Sequence, residues 1–378
     1  MGLTFPRVAS LAFATFFASS AASAANYVQH NLVSDIPGLA DRTDPNLVNA
    51  WGIVHSAGSP WWVNANGTGI SELFDGAGQA FPLANPLVVL IPPPSGPTPV
   101  TPPTGATPTG VVFNGTSDFQ IAKDKPAIFL FVTEDGTISG WNPGVDLTHA
   151  VIMVPSSPGA VYKGATLGQN GGANFLFVAN FRGGTVDVYD KTFTQVVLGA
   201  GAFLDGTLPA GFAPFNVQNI NGNIFVAFAK QDDAKHDEVD GAKLGFVDVF
   251  DTAGNLKMRL QHGPWFNAPW GMTLAPDGFG KLSDLLLIGN FGSGRIAAFD
   301  PASGGFRGHL NGQRGPLTID GLWGIGFGNG ANAGSATTLF FAAGIDSEAH
   351  GLFGTITPAQ HDRDGHDEDN EDNDNNDQ

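Results

Sequence analysis

Short apolar runs alternate with polar, turn-forming clusters along nearly the whole chain, and one seven-residue phrase returns six times. The copies are GISELFD from Gly69, GTISGWN from Gly136, GTVDVYD from Gly184, GFVDVFD from Gly245, GRIAAFD from Gly294 and GLFGTIT from Gly351. Each opens on Gly, alternates apolar positions up to an aromatic residue or Ile, and usually closes on Asp or Asn. The first copy departs with Ser71 at an expected apolar position, and the last ends in Thr357. Ahead of every copy lies an apolar run such as AIFLFVTED from Ala127 or NFLFVANF from Asn174, and ahead of that a third stretch such as AWGIVHS or PWGMTLAP. After the phrase comes a fourth, as in ANPLVVLIP, HAVIMVPSS, TQVVLGA and LKMRLQH. Runs of this length, rich in Val, Ile and Phe and bounded by Gly, Asn, Asp and Pro, are strands. Four strands per unit at a period of about 56 residues is the spacing of propeller blades. An all-β sandwich does not explain six copies of one phrase, and helical periodicity is almost absent. The pattern therefore predicts an all-β chain forming a six-bladed β-propeller of four-stranded antiparallel blades.

The ends of the repeat region fit a closed ring. The sixth unit has three strands and then runs into a tail, while NYVQHNLVSD from Asn26 is an orphan strand ahead of the first unit. This N-terminal strand is expected to complete the last blade from outside, which also removes an exposed ladder edge. The propeller is thus assigned to residues 25–360. Residues 92–108, PPPSGPTPVTPPTGATP, form an extended loop too rich in Pro to join a ladder. Lys230 to Lys243, KQDDAKHDEVDGAK, reads as a charged hairpin tip in the fourth blade.

Outside the ring the chain changes character twice. Residues 1–24 have the form of a signal peptide: a short basic start, an apolar run from Val8 to Phe17, and the small-residue site Ala22-Ser23-Ala24. That apolar run is too short to span a bilayer, so the mature chain is expected to have no membrane span and to be exported, extracellular or periplasmic. Residues 361–378 carry nine acids, one Arg and no apolar side chain. Such a segment buries nothing and is expected to be a disordered acidic tail.

Composition narrows the chemistry. With no Cys among 378 residues, disulfides, thiolate metal sites and cysteine nucleophiles are excluded. A formal charge of −18 makes electrostatic binding of nucleic acid a poor prospect. At 42% hydrophobic and 14% charged, the chain must nonetheless bury a large core. There is no G-x-S-x-G, H-E-x-x-H or phosphate-loop motif, so the sequence names no catalytic group.

Two phrase pairs, FLFVANFRGGTVDVYD and PWGMTLAPDG, resemble the repeats of NHL-type and gluconolactonase-like propellers. From NLVSDIPGLADRTDPNLVNAWGI onward, roughly residues 27 to 358, the chain is similar to an uncharacterised family of exported bacterial propellers. Some members of that family end in a PEP-CTERM sorting signal, in whose place the acidic tail stands here. The resemblance implies the fold but no activity. Its gluconolactonase-like side implies a metal that polarises a lactone carbonyl.

Loops entering the inner strands, and those joining second to third strands, open on one face around a central channel, the default ligand site. The second-to-third loops carry Asn64, Asn66, Glu134, Asp135, Asn180, Arg182, Asp232, Asp233, Asn290, Asp346, Glu348 and His350. Asn49, Thr109, Lys163, Asn267 and Asp320 precede the inner strands. Asn49, Asn180, Arg182, His262, Trp265, Asn290 and Asp346 are the candidate ligand-binding residues. Asn49, Asn267 and Asp320 are candidate ligands for Ca2+ or another divalent cation, which takes six to eight such oxygens. Asn and Asp also serve tight loops through their own hydrogen bonds, and Asp320 is the one carboxylate among the innermost positions. Trp51, Trp270 and Trp323 share one place in three inner strands, each followed by Gly. That repetition argues for packing, with stacking on a sugar ring as the other use. The function expected is a monomeric scaffold that binds an extracellular ligand, glycan or protein; a metal-dependent lactone or ester hydrolase is the alternative.

Overall fold

A computed structural model describes residues 1–2, 27–95 and 102–359. The apolar run of the leader, the centre of the Pro-rich loop and the acidic tail lie outside the described residues. Six sheets follow one another around a ring, each starting with an inner strand at the axis. These inner strands are Ala50–Val54, Pro108–Phe113, Tyr162–Asn170, Phe212–Ile220, Pro269–Leu274 and Leu322–Phe327. From each, antiparallel strands step outward in sequence order. Among the described residues the one helical element is a short 3-10 turn, Gly280–Leu282.

The period of two explains the core. Successive residues of Trp61–Ala65 point to opposite faces of their sheet, and both faces are covered. Trp61 and Val63, with Phe74, pack against Phe340 and Phe353 of blade 6. Trp62, with Leu73, packs against Phe129, Phe131 and Trp141 of blade 2. A middle strand therefore feeds two inter-blade cores at once, which is why such strands read as continuous apolar runs rather than as alternating ones. The opening Gly of the repeated phrase closes the turn into the third strand. Gly69, Gly136, Gly184 and Gly294 there have φ of +74°, +74°, +68° and +65°, a region open to Gly at no steric cost.

Blade 6 is closed by the N-terminal strand, as the sequence predicts. Tyr27–Ser34 pairs antiparallel with His350–Pro358, from Tyr27 opposite Pro358 to Ser34 opposite Leu352, and Arg42–Thr43 adds a short parallel fifth strand. The clasp also reaches beyond its own sheet. The Tyr27 hydroxyl donates to the Phe279 carbonyl at 2.7 Å and accepts from the Leu282 amide at 2.9 Å. Asp35 takes the Gly351 amide at 2.8 Å and the His350 ring at 2.7 Å. Tyr27, Leu32 and Val33 are buried, each worth roughly 1.5–3 kcal/mol.

Blade 3 differs from its neighbours. Its sheet has three strands, and the TQVVLGA stretch expected as a fourth meets it at a single bridge, Tyr189 with Gln195. Beyond that bridge Val196, Leu198 and Ala202 turn aside to cover the core shared with blade 4. Burial against the next blade outweighs ladder pairing at this edge.

Candidate functional site

Aligning the six inner strands puts Trp51, Thr109, Lys163, Phe215, Trp270 and Trp323 at one structural position. The next residue is Gly in five strands and Asn216 in the fourth. A Cβ on Gly271 would lie 2.5 Å from the Trp323 carbonyl, and one on Gly324 2.7 Å from the Trp51 carbonyl. Only Gly lets adjacent inner strands approach this closely. Where Asn216 replaces it, the amide donates to the Trp270 carbonyl at 2.7 Å, spanning the same gap with a hydrogen bond.

The three indoles meet on the axis. Trp51 stacks on Trp323 at 3.7 Å and 13°, Trp270 meets both edge-on, and Phe291 stacks on Trp323 at 4.1 Å. With Phe181 and Phe215 they form an apolar plug across the channel. The packing role expected for these tryptophans is what the structure shows, with the indoles against one another on the axis.

Above the plug, polar side chains from five blades join in one hydrogen-bonded belt. The Trp323 indole donates to Asn49 Oδ1 at 3.2 Å, and the Asn49 amide donates to Glu348 at 2.9 Å and Asn66 at 3.4 Å. Asn66 in turn donates to Glu134 at 2.9 Å. The Lys163 ammonium donates to Glu134 at 2.5 Å and to Asp237 at 3.1 Å, and His236 contacts Asp237 at 2.8 Å. Lys163 is 1% exposed and its ammonium lies 5.2 Å from the centre of the Trp51 ring. Burial pushes its pKa down, but Glu134, Glu238 and Asp237 outweigh that and hold it above the usual range.

Beside the belt a cleft of about 330 Å³ opens to solvent. Asp237, Glu238, Asp240, Asp320 and Glu348 line it, with Phe291 from the plug beneath them. Desolvation raises the Glu238 carboxyl to about 8, against the pull of Lys163 and with help from Glu348 and Asp240. Desolvation also raises Asp240 and Glu348, the latter despite its bond from Asn49. The loop that aims Glu348 is strained: Asp346, Ser347 and Glu348 have φ of +54°, +53° and +67°, which costs L-residues roughly 1–2 kcal/mol each. Glu134, His236 and Asp237 each bring one ligand atom within 4.8 Å of the others, a spacing that suits a metal ion. The ammonium of Lys163 is already bonded to both carboxylates and supplies the positive charge there.

The opposite end of the channel has another character. Below the plug a neck of about 40 Å³, lined by Gly52, Gly110, Gly271 and Gly324, widens into a funnel of about 430 Å³. Val54, Val112, Leu167, Phe327 and Gln218 are among its walls, and among the described residues no Asp, Glu, Lys or Arg lines it.

The candidate residues from the sequence divide into three groups. Asn49 belongs to the belt and Asp320 to the cleft, while the Asp346 amide donates to Asp320 at 2.7 Å. Asn180 and Asn290 are spent on turns. Asn180 Oδ1 accepts from the Val161 and Gly183 amides at 3.3 and 2.9 Å; Asn290 Oδ1 accepts from the Asn267 amide at 2.9 Å. Arg182, in the turn closed by Asn180, is half-buried and makes no ion pair among the described residues. Asn267 Oδ1 accepts from the Gly241 amide at 2.7 Å and so docks the charged insertion. Asn49, Asn267 and Asp320 therefore each hold a different partner and are bonded to separate groups. His262 and Trp265 lie towards the rim of blades 4 and 5, where His262 stacks on Phe246 at 4.3 Å and Trp265 on Phe306 at 3.9 Å. The stretch Lys230 to Lys243, which reads as a hairpin tip, folds back over the channel and brings Asp237, Glu238 and Asp240 to its mouth. The signal was a charged insertion present in one blade only.

No family model matches the chain. Two uncharacterized proteins of Acanthamoeba polyphaga mimivirus are each 29% identical to it over 339 residues, spanning 87% of this chain and 80% and 85% of theirs. These relatives are viral rather than bacterial. Among solved structures, a streptogramin B lyase is similar over 88% of this chain and 97% of its own, at 12% identity and a TM-score of 0.49.

Proposed function

We propose that this chain is an exported β-propeller that binds a cationic partner through the acidic mouth of its channel, the ligand carrying an ammonium or guanidinium group. One observation carries the reading: five carboxylates line a single cleft over the aromatic surface of Phe291. The one ammonium of the belt is already bonded to Glu134 and Asp237. Carboxylates crowded in this way repel one another and resist ionisation, and a bound cation relieves both effects. An aromatic face beneath adds a cation–π contribution. Export is supported by the leader-like residues 1–24. The metal-hydrolase reading has no comparable support, because Asn49, Asn267 and Asp320 hold separate partners.

Calorimetric titration with spermidine, a Lys-Arg peptide and neutral dextran tests the proposal. The two cationic probes should bind and weaken with added salt. At neutral pH their binding should release protons, since Glu238 titrates at about 8 in the free protein. Glu238→Gln should lose that proton release. Binding of dextran alone, or of none of the three, would overturn the reading.

A further inference from the structure

The seam between blades 6 and 1 holds a carboxyl group that neither the channel mouth nor the core accounts for. Glu72 sits in the strand Ile70–Phe74, directly opposite Val63 and Val88. The two-residue period places it on the face that carries Phe74 and Val63 into the interface with blade 6. It is 3% exposed, and its Oε2 has no hydrogen-bond partner among the described residues. Against it lie the Asp44 carboxyl and the Asn46 side chain, from the segment that joins the clasp to the first inner strand.

That segment is firmly held. The Asp44 amide donates to the Ser34 carbonyl at 2.9 Å, the Asn46 amide donates to Asp44 Oδ1 at 3.0 Å, and the Thr68 hydroxyl donates to the Asn46 carbonyl at 2.7 Å. The Asp44 carboxyl and the Asn46 amide are thus held beside Glu72 by fixed backbone. A buried carboxylate with an unpartnered oxygen beside a second carboxylate is expensive unless a positive charge compensates it. Burial and the Asp44 charge accordingly push the Glu72 carboxyl well above its ordinary range. No Lys or Arg bonds to either group among the described residues.

We propose that Glu72, Asp44 and Asn46 form a binding site for a hard divalent cation of calcium type, which fastens the clasp segment to blade 1. The donor set is the two carboxylates, joined by the Asn46 amide oxygen once its amide turns from Glu72 to the ion; with no imidazole or sulfur ligand, this selects calcium over the transition metals. The remaining positions of a shell of six to eight oxygens are left to water and backbone carbonyls. The competing account is a proton shared by the two carboxyl groups.

Melting curves and calorimetric titration of the purified chain with calcium chloride, after removal of metal by chelator, decide between them. Saturating calcium should raise the melting temperature by about 3 °C, with one ion bound per chain. Glu72→Gln, nearly isosteric, should abolish both effects, whereas Glu238→Gln at the channel mouth should retain them. Asp44→Asn serves as a second variant should Glu72→Gln fail to fold. No response to calcium in the parent chain overturns the proposal, as does an equal response in Glu72→Gln or its loss in Glu238→Gln. Melting that ignores calcium and falls with rising pH less steeply in Glu72→Gln than in the parent chain identifies the shared proton instead.

Discussion

The two ends of the channel are separated by a plug of three tryptophans yet differ in almost every respect. The mouth is walled by loops and crowded with carboxylates around one ammonium. The funnel is walled mainly by the inner strands, and among the described residues no Asp, Glu, Lys or Arg lines it. The contrast follows from how a blade is built. Inner strands must pack against their neighbours, with a Gly at the close approach in five of the six, so most of their side chains are committed to shape. Loops have no ladder to maintain and can carry charge into the axis. Shape is therefore concentrated in the strands and negative charge in the loops, with Lys163 of the third inner strand as the exception.

The plug is shared by both ends, so breaking it should have the largest effect. Trp323→Ala removes the stacking on Trp51 and Phe291 and the hydrogen bond to Asn49. A loss of about 3–5 kcal/mol in urea unfolding is expected, and a loss under about 1 kcal/mol would mean the indoles fill space without supporting the ring. Next comes Lys163→Met, which strands Glu134 among desolvated groups while leaving the funnel intact. Removing one partner of a buried ion pair costs about 3 kcal/mol. Binding of spermidine should survive or strengthen in this variant, because the mouth becomes more acidic.

The pH dependence of stability sharpens the contrast further. Glu238 titrates near 4.5 in an unfolded chain and at about 8 in the fold. Between those values the folded protein holds a proton that the unfolded chain has released. Its contribution to stability is complete below 4.5 and is lost as pH rises towards about 8. Melting temperature should fall over that window, and less steeply in Glu238→Gln. Equal slopes for the two proteins would show that this carboxyl is well solvated. The smallest effect belongs to the far end: Gln218→Ala in the funnel should change stability by no more than about 0.5 kcal/mol and leave spermidine binding at the mouth unaltered.

Much of this was legible in the sequence, for identifiable reasons. The repeated Gly needs a left-handed φ at a turn, and the apolar runs feed two interfaces, so both leave local marks. Ring closure was legible because one strand was missing at the end and one was spare at the start. Asn49, Asn66, Glu134 and Glu348 could be placed on mouth-facing loops by counting strands, whereas Lys163, expected just ahead of its inner strand, lies within it. Asp237 and Glu238 could not, since the path of their insertion depends on the bond from Gly241 to Asn267 in another blade. His262 and Trp265 illustrate the converse. Their position before an inner strand suggests the axis, yet flat apolar partners, Phe246 and Phe306, draw them towards the rim. The fourth stretch of blade 3 has strand-like composition, but its apolar side chains find a better partner in the core shared with blade 4.

The antiparallel pairing of Tyr27 with Pro358 also sets an order of events during synthesis. The first strand of the ring to leave the ribosome is the one whose partner is translated last, so it must wait while nearly every other segment emerges. Closing a contact over that length is slow on topological grounds. Until His350–Pro358 has emerged, Tyr27–Ser34 has no ladder to join, and the ring stays open through the synthesis of all six blades.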